Sequence, residues 1–131
     1  MNIFFDVDDT LITWDVKLRP GVLEVFERLR DDGHRIYLWS GYGPRWEVVR
    51  RFDLADHIVD CFYKPLFDHH ERLGELGVPF CPDYVIDDHP DIVRAFGGTL
   101  IEPAGKPFFD DREMERVYAD VQAFLAAREG R

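Results

Sequence analysis

The sequence predicts an α/β fold: a doubly wound, five-stranded parallel sheet in three layers, with helices on both faces. Three observations carry that prediction. Short apolar runs rich in β-branched and aromatic residues alternate with amphipathic stretches of helical period, which implies right-handed βαβ crossovers and a parallel sheet. The length of 131 residues suits one such sheet and is too short for two independent cores, so residues 1–131 read as a single domain. An apolar fraction of 46%, with no repeat or low-complexity tract, excludes a disordered chain.

The elements follow in order. Residues 2–5, "NIFF", form the first strand and run into Asp6. Pro20 and Gly21 open a helix with Val22, Leu23, Phe26 and Leu29 on one face, and Gly33 stands where a left-handed C-terminal residue belongs. "HRIYLWSG" reads as a buried strand ending at Ser40 and Gly41. Pro44 and the set Trp46, Val49 and Phe52 follow at helical spacing. "HIVDCFYKP" supplies the third strand, "LFDHHERLGELG" a helix closed by Gly77, "DYVIDD" the fourth strand, "PDIVRAFGG" a short helix and "TLIEP" the fifth strand. The last helix starts at Asp110, with Glu113 three residues on as a capping box. Met114, Val117, Tyr118, Val121 and Leu125 form its core-facing stripe. In such an open, Rossmann-like sheet, ligands sit beyond the carboxyl ends of the strands, near the point where strand order reverses.

Charge narrows the partners. Sixteen basic against twenty-six acidic side chains give a net charge of -10, which repels nucleic acid and anionic membranes, so an anionic substrate needs local cationic help. No basic segment precedes an apolar stretch at the start and no 18 apolar residues run together, so neither a signal peptide nor a membrane span is expected. Cys61 and Cys81 lie in no metal-ligand or disulfide spacing, and a reducing cytoplasm is the expected compartment.

The strand ends carry the chemistry. They present Asp6 and Asp8, then Ser40, then Lys64, then Asp87 and Asp88. Each piece alone has an ordinary explanation: acids after a strand solubilise turns, Ser before Gly is turn chemistry, lysines face water, and paired acids cap the helix at Pro90. Four such pieces, in order and each ending a strand, require four coincidences. The set "FFDVDDTL", "IYLWSG", "YKP" and "VIDDHPD" resembles the haloacid dehalogenase superfamily of phosphohydrolases. That family has a strand followed by DxDx[TV], a strand ending in Ser or Thr, a Lys, and a strand ending in paired acids. The match spans residues 2–91.

The resemblance implies roles. Asp6 is the nucleophile that forms an aspartyl-phosphate, and Asp8 is the general acid and base. Ser40, Gly41, Lys64 and Asp9 belong to the phosphate-binding set, while Asp6, Asp8, Asp87 and Asp88 belong to the metal. Asp88 is favoured as the second acid of the fourth motif, with Asp91 in reserve. Electrostatics agree that a cation is needed. Two carboxylates 4 Å apart repel by about 1 kcal/mol in water and about 4 kcal/mol at an effective dielectric of 20. Hard oxygen ligands favour Mg²⁺, which leaves coordination positions for substrate phosphate.

Neither family insertion point holds a cap domain, so this looks like a capless member. An open site goes with bulky substrates, or with small ones when oligomerisation roofs the pocket. The stretch "ITWDVKLRP" forms a flap, with Trp14, Lys17 and Arg19 as substrate contacts, or with Trp14 as a packing residue. Arg45 either reaches a substrate acid or sits solvated. His69, His70 and His89 read as solvated rather than as metal ligands. "GKPFFDD" at 105–111 either serves the site or only connects elements. The expected activity is Mg²⁺-dependent phosphomonoester hydrolysis. Two alternatives remain: a phosphotransferase of the same fold, and a receiver-like phosphoacceptor module. A receiver would place its acceptor Asp at the end of the third strand and its Lys at the fifth.

Overall fold

The computed structural model describes residues 1–104 and 110–129; most of the "GKPFFDD" segment therefore lies outside the described residues. The strands are β1 (Asn2–Asp6), β2 (Arg35–Ser40), β3 (Asp60–Tyr63), β4 (Tyr84–Asp87) and β5 (Gly98–Leu100). They pair in the order β3-β2-β1-β4-β5, and every pairing is parallel. The helices are α1 (Val22–Asp31), α2 (Trp46–Arg51), α3 (Pro90–Phe96) and α4 (Glu113–Glu129). This is the expected α/β architecture, and among the described residues no helix is long and apolar enough to cross a membrane.

The two-residue period of β1 splits the core. Ile3 and Phe5 face Val22, Phe26 and Leu29 of α1 and Met114, Val117 and Val121 of α4. Phe4 faces the other way, among Tyr37, Trp39, Val85, Leu73 and Ile92. All three β1 side chains are fully buried, and each such burial contributes about 1.5–3 kcal/mol. At the β4–β5 pairing, a Cβ on Gly98 would come 1.8 Å from the Val85 carbonyl oxygen, so only glycine fits.

Four local expectations need correction. Residues 66–77 form turns rather than a helix. The Arg72 and Leu76 N–H groups reach back four residues, to Asp68 and Arg72, whereas those of Leu73 and Gly77 reach back only three, so the bonds never run consecutively. Asp68 is left-handed at φ 46 and Gly74 weakens the middle, yet Leu73 still packs on the sheet. The last helix begins at Glu113, whose N–H donates to Asp111 Oδ1 at 3.0 Å, so Asp111 and not Asp110 supplies the cap. Leu23 and Trp46 are both 38% exposed, and Val25 and Val48 take the buried places on their helices. The fifth strand starts at Gly98 and ends at Leu100, earlier than "TLIEP" implies.

Arg19 also differs from expectation. Its guanidinium is 1% exposed and donates to Asp111 Oδ2 at 2.9 Å and to the Thr10 carbonyl at 3.2 Å. It is an internal strut, and its length and fork geometry suit that role better than contact with a ligand.

Candidate active site

Register brings the strand ends level. Asp6 stands beside Trp39, so Ser40 is the next residue out on β2; Ser40 pairs with Tyr63, so Lys64 follows on β3. Phe5 pairs with Ile86, which puts Asp6 and Asp87 side by side on the two strands where the winding reverses.

Lys64 Nζ donates to Asp6 Oδ1 and to Asp87 Oδ2, each at 3.0 Å, and all three side chains are almost fully buried. One ammonium between two carboxylates leaves a net negative charge out of water. Burial, and then the charge of Asp87, push the Asp6 carboxyl well above its ordinary range, against the opposing pull of Lys64. Burial acts to lower the Lys64 ammonium, but Asp6 and Asp87 outweigh it and hold Lys64 above its ordinary value.

The loop after β1 is tied to its own start. The N–H groups of Thr10, Leu11 and Ile12 all reach the Val7 carbonyl, and Thr10 Oγ1 donates to Asp6 Oδ2 at 3.1 Å. Asp9 makes the turn at φ 64, a conformation Asp tolerates. Its N–H donates to the Ile12 carbonyl at 3.0 Å, so what Asp9 brings to the cavity is a carboxyl rather than an anion-binding amide. Burial, then Asp88 and Asp8, raise that carboxyl above its ordinary value. Asp8 stands at the mouth, 34% exposed, and accepts from Ser40 Oγ at 3.3 Å and from the Arg45 guanidinium. Arg45 therefore reaches an acid of the protein itself.

The acids at this edge come close enough together to share one hard cation. Ligand atoms of Asp6, Asp87, Asp88 and His89 all lie within 4.8 Å of one another. His89 Nδ1 donates to Asp87 Oδ1 at 2.8 Å; Asp88 Oδ1 lies 3.2 Å from the same nitrogen but is buried without a hydrogen bond. A buried carboxylate oxygen lacking a donor, among three acids and one ammonium, fits Mg²⁺.

A cavity of about 340 Å³ opens beside this cluster, with Asp6, Ser40 and Lys64 deep within its lining and Gly41, Tyr42 and Leu66 exposed beside them. Asp91 pairs instead with Arg94 on the exposed face of α3, so geometry joins Asp88 to the cluster and leaves Asp91 out. Trp14 is 76% exposed and Lys17 pairs with Asp15 at 3.3 Å; among the described residues, neither lines the cavity. His70 binds the Ala95 carbonyl at 2.7 Å. From the sequence His89 reads as solvated, and Tyr42 and Leu66 have no assigned role. For His89 the available signal was its position directly after Asp88; for the other two there was none. No protein-family model matches the chain, and no curated protein matches it.

The raised Asp6 carboxyl gives a signed pH prediction. In the fold this group binds its proton more tightly than in the unfolded chain, so its stabilising contribution is present below the unfolded value and is lost as pH rises through the folded one. The melting-temperature difference between Asp6→Asn and the wild type, measured without metal, therefore moves in favour of the variant as pH rises through that window. The stabilisation of the wild type by Mg²⁺ grows over the same range. Differential scanning fluorimetry at a series of pH values checks both, and a pH-independent difference contradicts them.

Proposed function

We propose that the chain is a Mg²⁺-dependent phosphomonoester hydrolase of the haloacid dehalogenase type, working through an aspartyl-phosphate on Asp6. The observation that carries this reading is the Lys64 bridge between Asp6 and Asp87, with Asp8 and Ser40 at the same sheet edge. Asp6, Asp87 and Asp88 would hold the metal, which supplies charge neutralisation and orients the phosphoryl oxygens. An Asp6 oxygen attacks phosphorus, the P–O bond to the alcohol breaks, and Asp8 delivers the proton to the leaving oxygen. Asp8 then takes a proton from water, whose oxygen attacks phosphorus and frees Asp6 and inorganic phosphate. Lys64 and Ser40 oppose the charge that builds on the equatorial oxygens.

The end of β3 carries Lys64 and no acceptor acid, which disfavours the receiver module. A phosphotransferase would differ only in its acceptor, and a half-exposed Asp8 at an open mouth favours water. A reducing cytoplasm suits the enzyme: both cysteines are free, and burial pushes the Cys61 thiol up to about 12, which keeps it inert. Phosphate release from 4-nitrophenyl phosphate is the test. Turnover that requires Mg²⁺ and stops with EDTA is expected; turnover indifferent to metal, or none at all, removes the proposal.

A further inference from the structure

The mouth of the cavity differs in kind from its floor. Tyr42 is 83% exposed and Leu66 59% exposed, although both border a site made otherwise of Gly41 and polar groups: acids, a hydroxyl, an ammonium and the His89 imidazole. Exposed apolar side chains gathered at a cavity mouth mark a place where something apolar is bound.

The turn that bears Tyr42 and the side chain of Leu66 are both held in place. Tyr42 donates its N–H to Ser40 Oγ at 3.1 Å, and Gly43 donates to the Ser40 carbonyl at 3.1 Å, so the turn bearing the ring is tied to the phosphate-binding hydroxyl residue. Leu66 lies on Gly41, where an added Cβ would come 3.0 Å from Leu66 Cδ2. A Cβ on Gly43, at φ 112, would strike the Tyr63 ring at 2.9 Å. The two glycines thus let the turn close against Tyr63 at the end of β3 and Leu66 just beyond it.

Charge at the mouth points the same way. Asp8 and Asp9 are acids, Arg45 is already paired with Asp8 and Glu47, Lys64 with Asp6 and Asp87, and His89, the other basic group in the lining, with Asp87 and Asp88. A substrate bearing a second anion would meet carboxylates whose neighbouring cations are engaged.

We propose that Tyr42 and Leu66 form the leaving-group subsite of this pocket, selecting phosphomonoesters of flat apolar alcohols over those that carry a second anion. This rests on the hydrolase reading. The phosphoryl group lies against Asp6 and Lys64, the alcohol oxygen faces Asp8, and the apolar remainder covers the Tyr42 ring and Leu66.

The experiment compares kcat/KM for 2-phenylethyl phosphate, ethyl phosphate and 3-phosphooxypropanoate, all primary alkyl esters, with Mg²⁺ present. The phenylethyl ester is expected to exceed ethyl phosphate by about tenfold, and the carboxylate ester to fall below ethyl phosphate by about tenfold. Tyr42→Ala narrows the phenylethyl-to-ethyl ratio to within about twofold, while Tyr42→Phe keeps it, because the ring and not the hydroxyl makes the contact. A wild-type ratio near one, or a ratio that survives Tyr42→Ala, overturns the subsite and leaves the hydrolase standing. No turnover of any of the three esters overturns the hydrolase and the subsite together.

Discussion

Asp6→Asn is expected to lower kcat for the proposed phosphomonoester hydrolysis by about 10⁴-fold or more, because an amide oxygen is a poor nucleophile toward phosphorus. The substitution is nearly isosteric. With the amide oxygen in the Oδ1 place, Lys64 Nζ still donates to it, and the amide nitrogen in the Oδ2 place can donate to Thr10 Oγ1, so the loop after β1 keeps its shape. Removing one of two carboxylates beside a single buried ammonium also relieves repulsion, so the variant should fold at least as well at neutral pH. That separates a chemical defect from a structural one. Acid quenching of the wild type during turnover should trap a hydroxylamine-sensitive phosphoryl adduct, and Asp6→Asn should give none. Retention of kcat within tenfold of the wild type would mean that another group attacks.

Lys64→Met has the largest expected effect on stability, a loss of about 3–5 kcal/mol that appears as a melting temperature lower by about 10–15 °C. The methionine fills most of the space, so the loss is electrostatic: two buried carboxylates face each other without their shared donor. Two controls identify the cause. Acidification narrows the gap, since a protonated Asp6 no longer needs a counter-charge, and millimolar Mg²⁺ narrows it by supplying one. A gap constant across pH and metal would point to lost packing instead. On the proposed mechanism activity should fall even where Mg²⁺ restores the fold, because there the ammonium also opposes charge on the phosphoryl oxygens.

How far the residues announced this arrangement depends on what organises each one. The five strands were legible because runs such as "IFF" and "RIYLW" have no other stable home, and Asp6, Ser40, Lys64 and Asp87 are the residues at or just past the strand ends. Parallel register then aligns them. Residues 66–77 were illegible because their apolar spacing is helical, whereas a left-handed Asp68 and a central Gly74 break the bond ladder. His89 was illegible because a histidine before a helix-opening Pro90 reads as solvated; the turn after β4 swings it toward Asp87. Arg19 reads as a substrate contact on a flap, since nothing near it in the chain reveals Asp111, ninety-two positions away.

That distant pairing ties opposite ends of the chain. Arg19 holds Asp111, which receives the first N–H of α4, and it also holds the carbonyl of Thr10, whose hydroxyl steadies Asp6. The C-terminal helix and the loop after the first strand should therefore open to solvent as one cooperative unit in amide exchange. A truncation that removes α4 together with Asp111 would loosen the Asp6 end of the cavity from the far end of the sequence, without altering any residue that lines the cavity.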